Sequence, residues 1–136
     1  MSVVVKKYTK DFSDQYESFL KKCDKSMFTH SLKYRNFLIQ NLAKSEDHYF
    51  CLFENDQLTA VLPTFVKDGP SGKVINSLPF YGSHGGILSK GTLNNKAKEI
   101  LFKCLSSFCF EISAFSCVII EPPLSNDKNL YKKFNA

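Results

Sequence analysis

The apolar residues of this chain fall into two periods. Val3 to Tyr8 is short and β-branched and reads as a strand. Phe12, Tyr16, Phe19, Leu20 and Cys23 then recur on one helical face, with Asp11 placed to cap that helix. A second helix starts near Ser31 and buries Tyr34, Phe37, Leu38 and Leu42. His48 to Phe53 and Leu58 to Val66 are nearly continuous apolar runs on either side of the polar group Glu54-Asn55-Asp56-Gln57, the pattern of a hairpin. Pro63 inside the second run predicts a sheet edge or a bulge there.

"KDGPSG" (67–72) is a turn, and Lys73 to Leu78 returns as a strand. Asn94 or Asn95 can cap the longest helix, whose stripe is Ala97, Ile100, Leu101, Cys104, Leu105, Phe108 and Ile112. "SCVII" (116–120) is an unbroken apolar run, as expected of a strand buried on both faces, and Glu121-Pro122-Pro123 ends it. A last short helix is expected from Asn126 to Phe134. The helix between the fourth and fifth strands calls for a right-handed parallel crossover. The pattern therefore predicts an α/β sandwich with a mixed sheet, residues 1–136 forming one domain around one core.

Composition narrows the class. Apolar residues make up 43% and charged residues 23% of the chain, ordinary values for a folded globular protein. No apolar run approaches the roughly 18 residues of a membrane span, and the valines after Met1 are too few for a signal-peptide core, so a cytoplasmic location is expected. Cys23, Cys51, Cys104, Cys109 and Cys117 are odd in number, sit in apolar surroundings and have neither CxxC nor metal-ligand spacing, so buried reduced thiols are expected and a metal is not.

Charge is uneven. Residues 1–44 carry 9 basic and 4 acidic side chains, while residues 45–136 carry 9 of each. The whole excess of +5 thus lies in the first third, either to attract an anionic partner or as a solvated lysine face. Arg35 is the single arginine and so the one side chain able to grip a phosphate or carboxylate with a planar fork.

The richest stretch is "SLPFYGSHGG" (77–86), with three of the six glycines and His84. It is followed by Ile87-Leu88 and not by a helix start, which argues against a phosphate cradle. His84 carries the side chain most often used as a general base, but no carboxylate near it in sequence can orient it. Asp68, Glu111 and Glu121 show no pairing, and Glu121, at the end of a strand, is the best placed of the three. His30 reads as a helix-entry residue and His48 as the opening of a strand.

Three segments together resemble the FemAB-like transferases, whose domains have the N-acetyltransferase (GNAT) fold. They are "MFTHSLKYRNFL" (27–38), "LTAVLPTFV" (58–66) and "SLPFYGSHGGIL" (77–88). Tyr34 stands where that family usually has Trp, and Ser83-His84 opens its tight Tyr-Gly-Gly. The resemblance implies a GNAT-like three-layer sandwich with a partly parallel central sheet, lacking the last strands of a full domain and equivalent to the N-terminal half of a family member. It implies the acceptor-binding half of an acyl or aminoacyl transferase acting on an amine of a cell-wall or polysaccharide precursor, weakly active or inactive alone. Lys33, Tyr34 and Arg35 would then line the acceptor site, or else Tyr34 is core and the two cations are solvated. Phe80, Tyr81, Gly82, His84, Gly85 and Gly86 would form a groove wall, or else a structural crossover.

The CoA-binding pattern of GNAT domains, Arg/Gln-x-x-Gly-x-Gly/Ala, is absent from "LSKGTLNN" (88–95). No cofactor is therefore expected, and acyl-CoA or aminoacyl-tRNA enters only as a donor that this half does not hold tightly. The expected partners are a second GNAT-like domain or a second copy across an exposed sheet edge, with nucleic acid expected only as donor tRNA. A non-catalytic ligand-binding or self-associating module on the same fold is the alternative.

Overall fold

The computed structural model describes residues 2–77, 84–121 and Lys132. In chain order the strands are β1 (Val3–Lys7), β2 (Ser45–Asp47), β3 (Phe50–Glu54), β4 (Gln57–Leu62), β5 (Phe65–Gly69), β6 (Gly72–Ser77), β7 (Leu88–Ser89) and β8 (Ser116–Ile119). The helices are α1 (Ser13–Lys21), α2 (Leu32–Asn41) and α3 (Asn95–Glu111), with single 3₁₀ turns at Lys10–Phe12 and Phe28–His30. Pairing gives the orders β1-β3-β4-β7 and β2-β5-β6-β8. All neighbours are antiparallel except β6 and β8, which are parallel across the α3 crossover.

These are two halves of one mixed sheet, because the same chain passes from half to half twice. The expected strand His48–Phe53 becomes β3, which starts at Phe50 and is preceded by the unexpected β2, and the expected strand 58–66 becomes β4 and β5. Both passages lie side by side: the His48 N–H donates to the Thr64 carbonyl at 2.9 Å, and the Thr64 hydroxyl donates to the His48 carbonyl. Pro63 has no N–H to give a ladder, so the strand breaks there, but inside the sheet and not at its edge.

Both faces of β3 are covered, which explains its unbroken apolar run. Tyr49, Cys51 and Phe53 face the layer of α1 and α2 with Tyr16, Phe19, Tyr34 and Leu38. Phe50 and Leu52 face α3 with Leu101, Phe102 and Leu105. In β4 the alternation reverses, since Leu58 and Val61 both face α1 while Ala60 and Leu62 face α3. A bulge is the cause. Leu52 pairs with Ala60 and Phe53 with Leu58, so Thr59 is the extra residue, and its hydroxyl donates to Glu54 Oε1 at 3.1 Å.

Several expectations change for local reasons. Asp11 lies within the 3₁₀ turn and caps nothing, so α1 begins at Ser13 without a side-chain cap. Ser31 does cap α2, accepting from the Tyr34 N–H at 3.1 Å, and Asn94 caps α3, accepting from the Ala97 N–H at 2.7 Å. Phe37 is not core: it is 44% exposed and stacks on Tyr34. The hairpin turn has Asn55 and Asp56 both at positive φ, as a tight two-residue turn requires. The turn expected over 67–72 shortens to Gly69–Gly72, because β5 pairs with β6 up to that point. β8 is not buried on both faces, since it lies at the outer position of its order and Cys117 and Val118 are exposed. Cys104 and Cys109 are only half-buried, so uniform thiol burial holds for Cys23 and Cys51 alone. The helix expected over 126–134 lies outside the described residues, Lys132 apart.

The break at Pro63 is closed by one hydroxyl. Ser77 Oγ donates to the Pro63 carbonyl at 2.6 Å and accepts from the Gly86 N–H at 2.9 Å, fully buried. Gly85 packs so tightly beside it that a Cβ would lie 2.0 Å from the Ser77 carbonyl oxygen. Ser77→Ala strands a buried acceptor and a buried donor, and should cost about 2–4 kcal/mol in urea unfolding. Gly85→Ala should cost about 4 kcal/mol or prevent folding. Gly91→Ala, at φ +61° but with nothing within 4 Å, should cost about 1 kcal/mol.

Candidate functional site

β6 and β8 run parallel and bonded up to the pair Ser77 and Ile119, and beyond them the two strands must part or be joined by something else. The described part of β6 ends at Ser77, and the chain is described again from His84. There the Gly85 N–H donates to the Ile120 carbonyl at 2.6 Å. Ser77 and Gly85 are thus held at one point, beside Ile120. Only glycine permits the close approach at 85.

This bond changes the standing of two residues. His84 precedes its donor and Glu121 follows its acceptor, so an imidazole and a carboxylate flank one backbone hydrogen bond at the strand ends. Both are half-buried. Nothing in the spacing of the sequence joins them, because the whole of α3 lies between. An imidazole can accept a proton from an incoming nucleophile, and a carboxylate can steady the imidazolium that forms. Gly85 and Gly86 are buried at the same clamp, while Phe80, Tyr81 and Gly82 lie outside the described residues.

Lys33, Tyr34 and Arg35 are consecutive on α2 and point in three directions. Lys33 is exposed, and Tyr34 is buried against Phe28 and Phe37. Arg35 reaches back across the sheet to β2. Its Nε and Nη2 lie 2.9 and 2.8 Å from Asp47 Oδ2, and its guanidinium sits 4.7 Å from the centre of the Tyr8 ring. The planar fork expected to grip a ligand therefore already holds a protein carboxylate. The three do not form one cluster.

The N-terminus of α3 offers little to a phosphate. Its cap uses the Asn94 side chain to satisfy the Ala97 N–H, a donor that an anion would otherwise take. A groove of about 370 Å³ lies on the β2-β5-β6 side, lined by Leu42, Lys44, Glu46, Val66, Asp68 and Lys73 among others. Asp68 pairs there with Lys73 at 3.3 Å, and Glu111 is exposed at the end of α3, so neither meets His84. Among the described residues no cluster of His, Cys, Asp and Glu could hold a metal ion. No described helix is long and apolar enough to cross a membrane.

The other two histidines are structural. His30 is sealed in the core, its Nδ1 accepting from the Met27 N–H at 3.0 Å, and burial holds its pKa down to about 4. His48 stacks on Phe108 with ring centres 3.9 Å apart, and burial, with Lys7 adding to it, lowers its pKa to about 4. Both rings are neutral in the folded chain and protonate near pH 6.5 when it unfolds. Stability is therefore full above that pH and falls as the pH drops toward 4. The slope is at most about 1.4 kcal/mol per pH unit for each histidine, with His30 nearer that limit. Urea midpoints between pH 7 and 4.5 should show this fall, and His48→Phe, which keeps a ring on Phe108, should flatten it.

No protein-family model matches the chain, and no curated protein matches its sequence. Solved structures do match its fold. A ribosomal-protein-alanine N-acetyltransferase from Brucella melitensis biovar Abortus 2308 superposes with a TM-score of 0.67 over 100% of this chain and 92% of its own, at 16% identity. A glucosamine-6-phosphate N-acetyltransferase from Arabidopsis thaliana gives 0.66 over 100% and 92%, at 10% identity. A GNAT family acetyltransferase from Staphylococcus aureus gives 0.60 over 93% and 94%, at 11% identity. The chain thus has the GNAT-like α/β sandwich with a mixed sheet that the three sequence segments implied.

Proposed function

We propose that this GNAT-like domain takes part in N-acyl transfer, with the clamp between Ser77 and Ile120 marking its reacting end. The observation that carries the reading is the junction of His84 and Glu121 across the Gly85–Ile120 hydrogen bond. Attack of an amine on an activated acyl group needs a neutral nucleophile and a place for its proton, and it needs no covalent enzyme intermediate. His84 would take that proton, and Glu121 would steady the resulting imidazolium.

The finer reading follows the FemAB-like segments. The domain would be the acceptor side of a cytoplasmic acyl or aminoacyl transferase, taking an amine of a cell-wall or polysaccharide precursor, with the donor (acyl-CoA or aminoacyl-tRNA) held chiefly by a second domain or a second copy. The capped α3 N-terminus supports weak donor binding by this chain, since it lacks the backbone cradle that a pyrophosphate needs. Exposed Lys33 could still meet the acceptor's anionic group, whereas Arg35 would serve by holding α2 to the sheet through Asp47.

The test measures acyl transfer from acetyl-CoA and from aminoacyl-tRNA to amino sugars and amino-terminal peptides, together with calorimetric binding of the same acceptors. We expect saturable acceptor binding and slow transfer. His84→Ala should lower transfer about 100-fold with little change in stability, and Glu121→Gln should lower it less. Absence of both acceptor binding and transfer would remove the reading. Rapid transfer from acetyl-CoA by the chain alone would keep the acyltransferase and sink the acceptor-half assignment. Unchanged rates in His84→Ala would sink the role of His84.

A further inference from the structure

The seven residues between Cys109 and Cys117 turn the chain from α3 back along the sheet. Ser113 takes a left-handed conformation (φ 53°), the Ala114 N–H donates to the Cys109 carbonyl at 2.9 Å, and the Phe115 N–H donates to the Lys73 carbonyl at 2.7 Å. Those bonds set the register of β8 against β6, with Cys117 beside Ile75. Alternation along β8 then puts Cys117 on the same face as Ile119, which packs against the core layer under α3. Cys109 packs against that same layer, one and two turns beyond Leu105 and Phe102 on the buried stripe of α3. The two side chains meet there, the Cys117 thiol hydrogen-bonded to the Cys109 sulfur. Cys117 is exposed and Cys109 half-buried, so a small molecule has access, whereas Cys51 is sealed in the core.

We propose that Cys109 and Cys117 form a thiol–disulfide exchange site, a dithiol that small disulfides oxidise reversibly to an intramolecular disulfide. The Cys109 thiolate attacks one sulfur of the small disulfide, forming a mixed disulfide and releasing one small thiolate. The Cys117 thiolate then attacks the Cys109 sulfur, forming the protein disulfide and releasing the second small thiolate. The two protons lost by the cysteines end on the two released thiols. One disulfide is reduced and one is made. The direction of attack follows from the hydrogen bond, which stabilises the Cys109 thiolate and lowers its pKa to about 7, while Cys117 is held protonated. Cys51 behaves oppositely, burial pushing its thiol up to about 12. The new bond would staple the end of α3 to β8, the strand whose next residue, Ile120, holds Gly85.

The test equilibrates the full chain, without air, with oxidised and reduced glutathione over a range of ratios. It then alkylates free thiols, unfolds the protein and maps the products by mass spectrometry. We expect a monomer that loses the Cys109 and Cys117 thiols together, with one peptide cross-link between them that dithiothreitol reverses. Cys117→Ser should stop at a glutathione adduct on Cys109, formed about tenfold faster than any adduct on Cys104. Five free thiols at the most oxidising ratio would overturn the proposal. So would a cross-link mapping to another pair, or wild-type protein that carries only separate adducts. The mapping needs no variant, so a poorly folding Cys117→Ser protein leaves the decision intact.

Discussion

The structure depends on how a buried sheet survives a proline in its middle. Pro63 removes a donor where the chain passes from one half of the sheet to the other, and its carbonyl would otherwise point into a dry interior. Ser77 Oγ answers by accepting from one backbone group and donating to another, joining the β4–β5 passage to the chain at Gly86. Because Gly86 is one of its partners, the same hydroxyl that closes the break also holds the chain at Gly86. Gly85 is the consequence: nothing larger fits between Ser77 and Ile120.

Around that seam the polar groups are used sparingly and mostly for structure. Arg35 and Asp47 pin α2 to the outer strand β2, with Tyr8 beneath the guanidinium. His30 and His48 are kept neutral, one by a backbone N–H donated to its ring and a sealed core, the other by stacking between aromatic rings. A neutral buried imidazole accepts one hydrogen bond cheaply but resists a proton, which ties the stability of both helical layers to pH. His84 differs in kind, being half-buried next to Gly85, whose N–H bonds the chain at the end of β8.

Which parts of this were legible beforehand follows from the range of the interactions. The caps at Ser31 and Asn94, the Asn55-Asp56 turn and the stripe of α3 are set within a few residues, and the sequence shows them plainly. Asp11 misled because a 3₁₀ turn took it in, a difference of one residue in where the helix starts. The bulge at Thr59 was invisible, since an extra residue shows only against the partner strand. The apolar run of β8 resembled a doubly buried strand, but its burial depends on its position in the sheet and not on its residues. The sulfur pair was missed for a similar reason: the spacing of Cys109 and Cys117 matches no familiar motif, and only the β8 register turns it into a contact.

The sequence by itself determined the α/β class, the order of the long elements and the family resemblance of residues 77–88, because periodicity and local hydrogen bonding need no distant partner. Only the tertiary structure decided what those residues can do. It committed Arg35 to Asp47, spread Lys33, Tyr34 and Arg35 over three directions, and placed His84 and Glu121 next in sequence to the two residues of one backbone hydrogen bond. Such assignments come from where the strand ends meet, and a chain's spacing holds no record of that until a sheet fixes it.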